Sequence, residues 1–276
     1  MNKLNKILPV LFFRKYLIVR IVAGLFGCHF FFFYLKLLET VYLFRSKETP
    51  TWLNEVLNYL GQTSSLALLR VMLVFLILCS LFFVFGRLVR VSALLMWFGY
   101  TFFYNFFICI NQPHITYYLY ILISFVIFSE ESLNLQSRRS GSFKWGFVGI
   151  LSFVYMYQMS ISGFSKALSP EWRNGDVVRI LSLVRDPGPG ILWVGELPNL
   201  ILRWSTWSVL AIECFSFLYI LMPAVRFGIW TMHILIYLFI LLMVPHATHV
   251  AFVMLLFNFF ILDPKILPKK WVSLVN

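Results

Sequence analysis

What limits this chain most is the length of its apolar runs and how rarely charge interrupts them. An α-helix needs about 20 apolar residues to cross the hydrocarbon of a bilayer. Runs of that order recur near residues 17–42, 64–86, 92–111, 114–130, 145–167, 200–224, 226–245 and 247–263. Only 12% of the side chains are charged, about half the share of a soluble domain. The expected fold is all-α: a polytopic membrane helical bundle of about eight transmembrane helices, forming one domain over residues 1–276. The close joins at 111–114 and 245–247 leave room for broken or re-entrant segments in place of full spans.

The formal net charge of +12 would suggest nucleic acid in a soluble protein, but no nucleic-acid module is present and the bilayer explains the charge more simply. Basic residues mark cytoplasmic loops. Lys3, Lys6, Arg14, Lys15 and Arg20, then Arg87 and Arg90, then Arg138, Arg139 and Lys144, then Arg226, and last Lys265, Lys269 and Lys270 fall on one side of the eight spans. Arg45, Lys47, Arg173, Arg179 and Arg185 fall on the other. This bias orients both termini inward and places the longer segments 43–63 and 168–199 outside. Within the first, Trp52, Leu53, Val56, Leu57 and Leu60 recur at helical spacing, as in a helix lying along the interface. Lys3 and Lys6 ahead of an apolar stretch imitate a signal peptide, but Arg14, Lys15 and Arg20 interrupt it. The first helix is expected to stay as an anchor in the plasma (inner) membrane of a bacterium.

Four cysteines stand singly in apolar runs, without the spacing of a zinc site or a disulfide framework, so no metal is expected. Ionisable groups inside membrane spans turn toward protein or a wet cavity, and here they gather at the outer ends. His114 begins the fourth span, Lys166 closes the fifth, Arg203 opens the sixth, and His246 and His249 flank the last outer turn. Gln158, Ser162 and Lys166 are four residues apart, which places them on one helical face. An outward-opening polar chamber is the expected result. His233 and His29 read as deeper, hydrogen-bonded core residues. Glu213, inside the sixth span, is expected either to pair with a neighbouring helix or to be protonated. The Phe-rich stretch His29–Leu35 reads as lipid-facing bulk and packing.

An apolar helix that ends in Gly163-x-x-Lys166 and is followed by Trp172 and Gly175 resembles the signature of the HTTM superfamily, the membrane domain of vitamin K-dependent gamma-glutamyl carboxylases and their small bacterial relatives. Asn111–Leu122, with His114 ahead of an aromatic-rich helix, and His233 followed by His249–Phe257 are similar to further segments of that family. The resemblance implies that Lys166 deprotonates a quinol (vitamin K hydroquinone or menaquinol) and that His114 stabilises developing negative charge. In the carboxylases the hydroquinone anion then reacts with oxygen to give the strong base that removes a γ-proton from a peptide glutamate, and carbon dioxide adds to the carbanion. Gln158, Ser162, Gly163, Trp172, Gly175, His246, His249 and Arg203 would line or support the cavity. The carboxylases carry a second lysine where Ser165 stands here, and a large extramembrane region where this sequence ends after Asp263–Asn276. In size the chain is closer to the small bacterial members.

The leading expectation is therefore a membrane-embedded, carboxylase-like enzyme working at the outer leaflet on a quinol or an exported peptide. The alternative is a non-catalytic membrane partner for maturation or export of a secreted peptide of the sporulation-delaying-toxin type, with 168–199 as its docking surface. A Ser-Lys hydrolase using Ser162 and Lys166 lacks a supporting motif. A transporter lacks a repeat or a pair of broken helices.

Overall fold

The computed structural model describes residues 15–43, 51–106, 115–128, 141–183, 197–243 and 248–261. All regular structure among them is helical. Five helices are long and apolar enough to cross a membrane: Lys15–Leu38, Ser64–Val84, Gly146–Leu168, Asn199–Leu221 and Pro223–Leu241. Three shorter apolar helices, Val89–Phe103, Thr116–Ile127 and Val250–Ile261, stand where the remaining spans are expected. These helices make the chain an integral membrane protein by length and composition.

The chain divides into two compact units. Residues 14–137 hold α1 (Lys15–Leu43), α2 (Thr51–Val84), α3 (Val89–Phe106) and α4 (Ile115–Ile127). Residues 51–63, expected to lie along the interface, are instead the first turns of α2, which runs unbroken for 34 residues. At about 1.5 Å per residue this helix is far longer than a bilayer's hydrocarbon core. The core of the unit is aromatic. Phe31 and Tyr34 are buried and pack with Tyr100 and Phe103, while Phe32 and Phe33 on the same Phe-rich stretch face outward. The stretch thus supplies both packing and outward bulk. His29 is exposed rather than buried in the core, because it lies on the face of α1 turned away from that aromatic cluster.

α2 ends in a sharply defined cap. Gly86 adopts φ +74°, and the N–H groups of Gly86 and Arg87 return to the carbonyls of Phe83 and Phe82, a Schellman arrangement in which glycine avoids the penalty of a left-handed residue. Arg20 of α1 completes it, donating from Nη1 to the carbonyls of Phe83 at 2.5 Å and Val84 at 2.8 Å. A Cβ on Gly86 would come within 2.9 Å of that guanidinium. Arg20, one of the basic residues expected on the cytoplasmic side, is thus buried as a helix cap.

The second unit comprises residues 138–276 with 1–13. It contains α5 (Gly141–Leu168), two short helices α6 (Pro170–Arg173) and α7 (Val177–Leu183), α8 (Asn199–Cys214), a 3-10 turn (Phe215–Phe217), α9 (Leu218–Leu221), a second 3-10 turn (Pro223–Val225), α10 (Arg226–Met243) and α11 (Thr248–Ile261). α5 stops because Ser169, held extended at φ −79° and ψ 131°, precedes Pro170. Gly175 at φ +78° ends the next turn, and a Cβ there would meet the side chain of Arg203. The chain is therefore broken twice, yet α6 and α7 continue beside α8.

Candidate functional site

The four motif residues of the fifth span converge on one helix. α5 crosses α8 at Gly163, where a Cβ would lie 2.7 Å from the Glu213 carbonyl carbon and 2.9 Å from its Cβ, and would collide with the Cys214 backbone nitrogen. Only a residue without a side chain allows this approach. One turn later Lys166 Nζ donates to both carboxylate oxygens of Glu213 at 2.6 Å. Ser162 Oγ donates to the same carboxylate at 3.4 Å. The indole of Trp172, carried on α6, lies with its centroid 4.8 Å from Nζ, close enough for cation–π attraction. The side chain of Lys166 is 29% exposed and that of Glu213 10%.

Beyond Lys166 the broken segment is fastened to α8 by polar side chains. Thr206 Oγ1 donates to the Gly175 carbonyl at 3.1 Å and accepts the Val178 N–H at 3.2 Å, serving the backbone on both sides of the break. Trp207 Nε1 donates to the Arg173 carbonyl at 3.0 Å. Arg203 stands 3.9 Å from Asp176 at the rim, and Val178 packs on Leu202. Backbone groups at a break in a helix find in these side chains the partners that the helix no longer supplies.

Lys166 closes α5, and the chain runs on beside α8 through α6 and α7. Trp204 and Trp207 of α8 are exposed, and Glu213 follows Trp207 by six residues, a rise of about 9 Å along the helix.

Of the other expected site residues, Gln158 is exposed. His114 and His246 lie outside the described residues, and His249 falls in the first turn of α11, where only the backbone is described. Glu171, which is near Lys166 in sequence, turns to the hydroxyl of Ser169. That bond holds its carboxyl below the usual carboxylate range. Glu213 and Thr206 are the residues that local reading did not set against Lys166 and Gly175. Their seven-residue spacing places both on one face of α8.

A second polar cluster lies deeper in the same unit. Asn258 Nδ2 donates to the Met254 carbonyl at 2.8 Å and to the Tyr155 hydroxyl at 2.6 Å. Tyr155 faces His233 Nδ1 at 3.4 Å, and His233 Nε2 faces Ser216 Oγ at 2.8 Å. Ser216 in turn donates to the Ile212 carbonyl. With Asn258 donating to Tyr155, the phenol proton goes to Nδ1, and the network assigns the imidazole proton to Nε2. His233 is 1% exposed, a hydrogen-bonded core residue as its sequence position implies. Because Ser216 sits in the 3-10 turn directly after α8, the cluster fixes the helix end that carries Glu213.

Compared with protein-family models, curated proteins and solved structures, the chain matches none of them.

Proposed function

We propose that this chain is a membrane-embedded enzyme of the carboxylase-like kind, with Lys166 as its base and Glu213 as the group that exchanges a proton with it. The observation that carries this reading is the two-pronged 2.6 Å bridge between Lys166 and Glu213; its proposed place in the apolar layer rests on Glu213 standing about 9 Å of helix rise beyond the exposed Trp207. An ion pair taken out of water is costly to keep. Transfer of one proton from Nζ to the carboxylate leaves two neutral groups and an amine able to accept a proton from a substrate. Once Nζ has given a proton to Glu213, rotation about Cε–Nζ turns the amine lone pair toward a substrate hydroxyl, with Ser162 and the Trp172 ring beside it. A quinol is a substrate of that chemistry; reaction of its anion with dioxygen would supply the base that takes a γ-proton from a glutamate of an exported peptide, and carbon dioxide would add to the carbanion. His114 retains its proposed role as stabiliser of negative charge.

The proposed topology has both termini in the cytoplasm, with 168–199 on the outer side of a bacterial plasma membrane. Reporter fusions after Ser140 and after Pro187 should read inside and outside, respectively. The reverse pattern would invert the site.

The test of the chemistry is mass spectrometry of peptides exported by cells carrying the native chain, Lys166→Arg or Glu213→Gln at matched membrane levels. Arginine keeps the cation but cannot serve as a base. Loss of a peptide mass change in both variants is expected. A mass change that persists in Lys166→Arg would remove the lysine from the chemistry.

A further inference from the structure

The turn that joins α2 to α3 is dressed for something outside the protein. It reads Phe85-Gly86-Arg87-Leu88-Val89-Arg90-Val91, and it emerges where the apolar helices Ser64–Val84 and Val89–Phe103 both end. Phe85 is 73% exposed, Leu88 68% and Val91 52%. Arg87 and Arg90 are exposed among them. Leu88 adopts φ +49°, a left-handed conformation unusual for a leucine, which turns the chain so that its side chain stands outward.

Three arginines reach this end of the unit, and their uses differ. Arg20 is buried and occupied by the carbonyls of Phe83 and Val84. The guanidinium groups of Arg87 and Arg90 meet neither a carbonyl nor a carboxylate among the described residues. Of the three arginine side chains the end of α2 uses that of Arg20, and the other two guanidinium groups are exposed between apolar tips.

We propose that this turn is a docking surface for anionic phospholipid headgroups. The chemistry is complementary in two ways: guanidinium groups bind phosphate oxygens in a bidentate fork, and Phe85 and Leu88 enter the acyl boundary beneath the same headgroups. A free phosphate would engage the arginines but would give the exposed phenyl and isobutyl groups nothing to meet, so the occupant is a lipid.

The experiment uses the full chain in nanodiscs of mixed phosphatidylglycerol and phosphatidylcholine, with native mass spectrometry of the retained lipids and a parallel melting curve. The native chain should retain phosphatidylglycerol preferentially. Each arginine near a charged surface contributes enough that the double substitution Arg87→Ala/Arg90→Ala should reduce this retention by about thirtyfold, with the melting temperature unchanged. Phe85→Ser/Leu88→Ser should weaken retention of both lipids while leaving the preference for the anionic one. The proposal is overturned if the double arginine variant keeps its lipid complement. It is equally overturned if that variant melts early, since the arginines would then serve the fold. Full displacement of the lipid by millimolar inorganic phosphate, with no effect of Phe85→Ser/Leu88→Ser, would identify the ligand as a free anion and overturn the lipid.

Discussion

Arg20 and Lys166 are both cations set into apolar helices, one in each unit, and they are satisfied in opposite ways. Arg20 gives its hydrogen bonds to main-chain carbonyls at the end of α2, groups that can accept a hydrogen bond but cannot take the proton. Lys166 gives its bonds to a carboxylate, a group that can take one. The first arrangement ends a helix. The second can end a helix and also move a proton, so its partner is the residue to question first.

Removing that partner should have the largest effect. Glu213→Ala leaves the Lys166 ammonium without its counter-charge at the proposed depth, and the expected loss is about 4 kcal/mol, the range found when one member of a buried pair is deleted. Thermal unfolding in detergent measures it. The double variant Lys166→Met/Glu213→Leu separates structure from chemistry, because apolar residues of similar size often replace a buried pair without loss of stability. Stability restored with function still absent is the expected outcome. Function restored as well would reduce the pair to a helix clamp, the role assigned to Arg20.

Arg20→Ala should follow, at about 3 kcal/mol, since two carbonyls at the end of α2 lose a charged donor. No effect on peptide chemistry is expected once protein levels are matched, and a selective loss of chemistry would erase the contrast between the two cations. Gly163→Ala comes next, at about 2 kcal/mol, because the added methyl has to displace the α8 backbone at Glu213 and Cys214. It should lower function more than its stability loss explains, because it moves the carboxylate relative to Nζ. A similar stability loss with intact function would confine Gly163 to packing.

Much of this arrangement was legible before any coordinates, and the parts that were not share one cause. Apolar length alone placed the long helices, since a run of that size has no other way to satisfy its backbone in lipid. The two breaks after α5, at Pro170 and Gly175, were not foreseen, although proline cannot continue a helix and glycine favours a left-handed turn. Gly163 and Lys166 stood out through their spacing. What periodicity could not supply was the partner across the interface. Nothing local to Glu213 says that it faces Lys166 rather than lipid, and nothing local to Thr206 says that it bridges a broken backbone on another helix. The capping role of Arg20 was hidden for the same reason: a charge count sees only a basic residue, whereas its bonds lie more than sixty positions away.

Thr206→Val tests the bridge at a smaller scale. The substitution keeps the shape and removes the hydroxyl, leaving the Gly175 carbonyl and the Val178 N–H without their partner. The expected loss is about 1 kcal/mol, together with faster amide exchange at Val178. Unchanged exchange there would mean that α7 is held by packing on Leu202 alone.

The smallest expected effect belongs to the glutamate that sequence proximity would have chosen. Glu171 is only five positions from Lys166, but its carboxylate takes the Ser169 hydroxyl instead, and that bond and a backbone hydrogen bond hold its pKa below the ordinary range. The sign follows from the lowered value: a carboxylate depressed by folding favours the folded chain above its ordinary pKa, and that contribution disappears as the pH falls through the lowered one. The group is exposed, so water screens the effect. Glu171→Gln should therefore leave melting and peptide chemistry unchanged at neutral pH, while Glu213→Gln, forty-two positions further along, abolishes the chemistry. If Glu171→Gln were the variant that silenced the protein, the proton would be passing through the exposed α6 turn and the buried bridge to Glu213 would be a clamp after all.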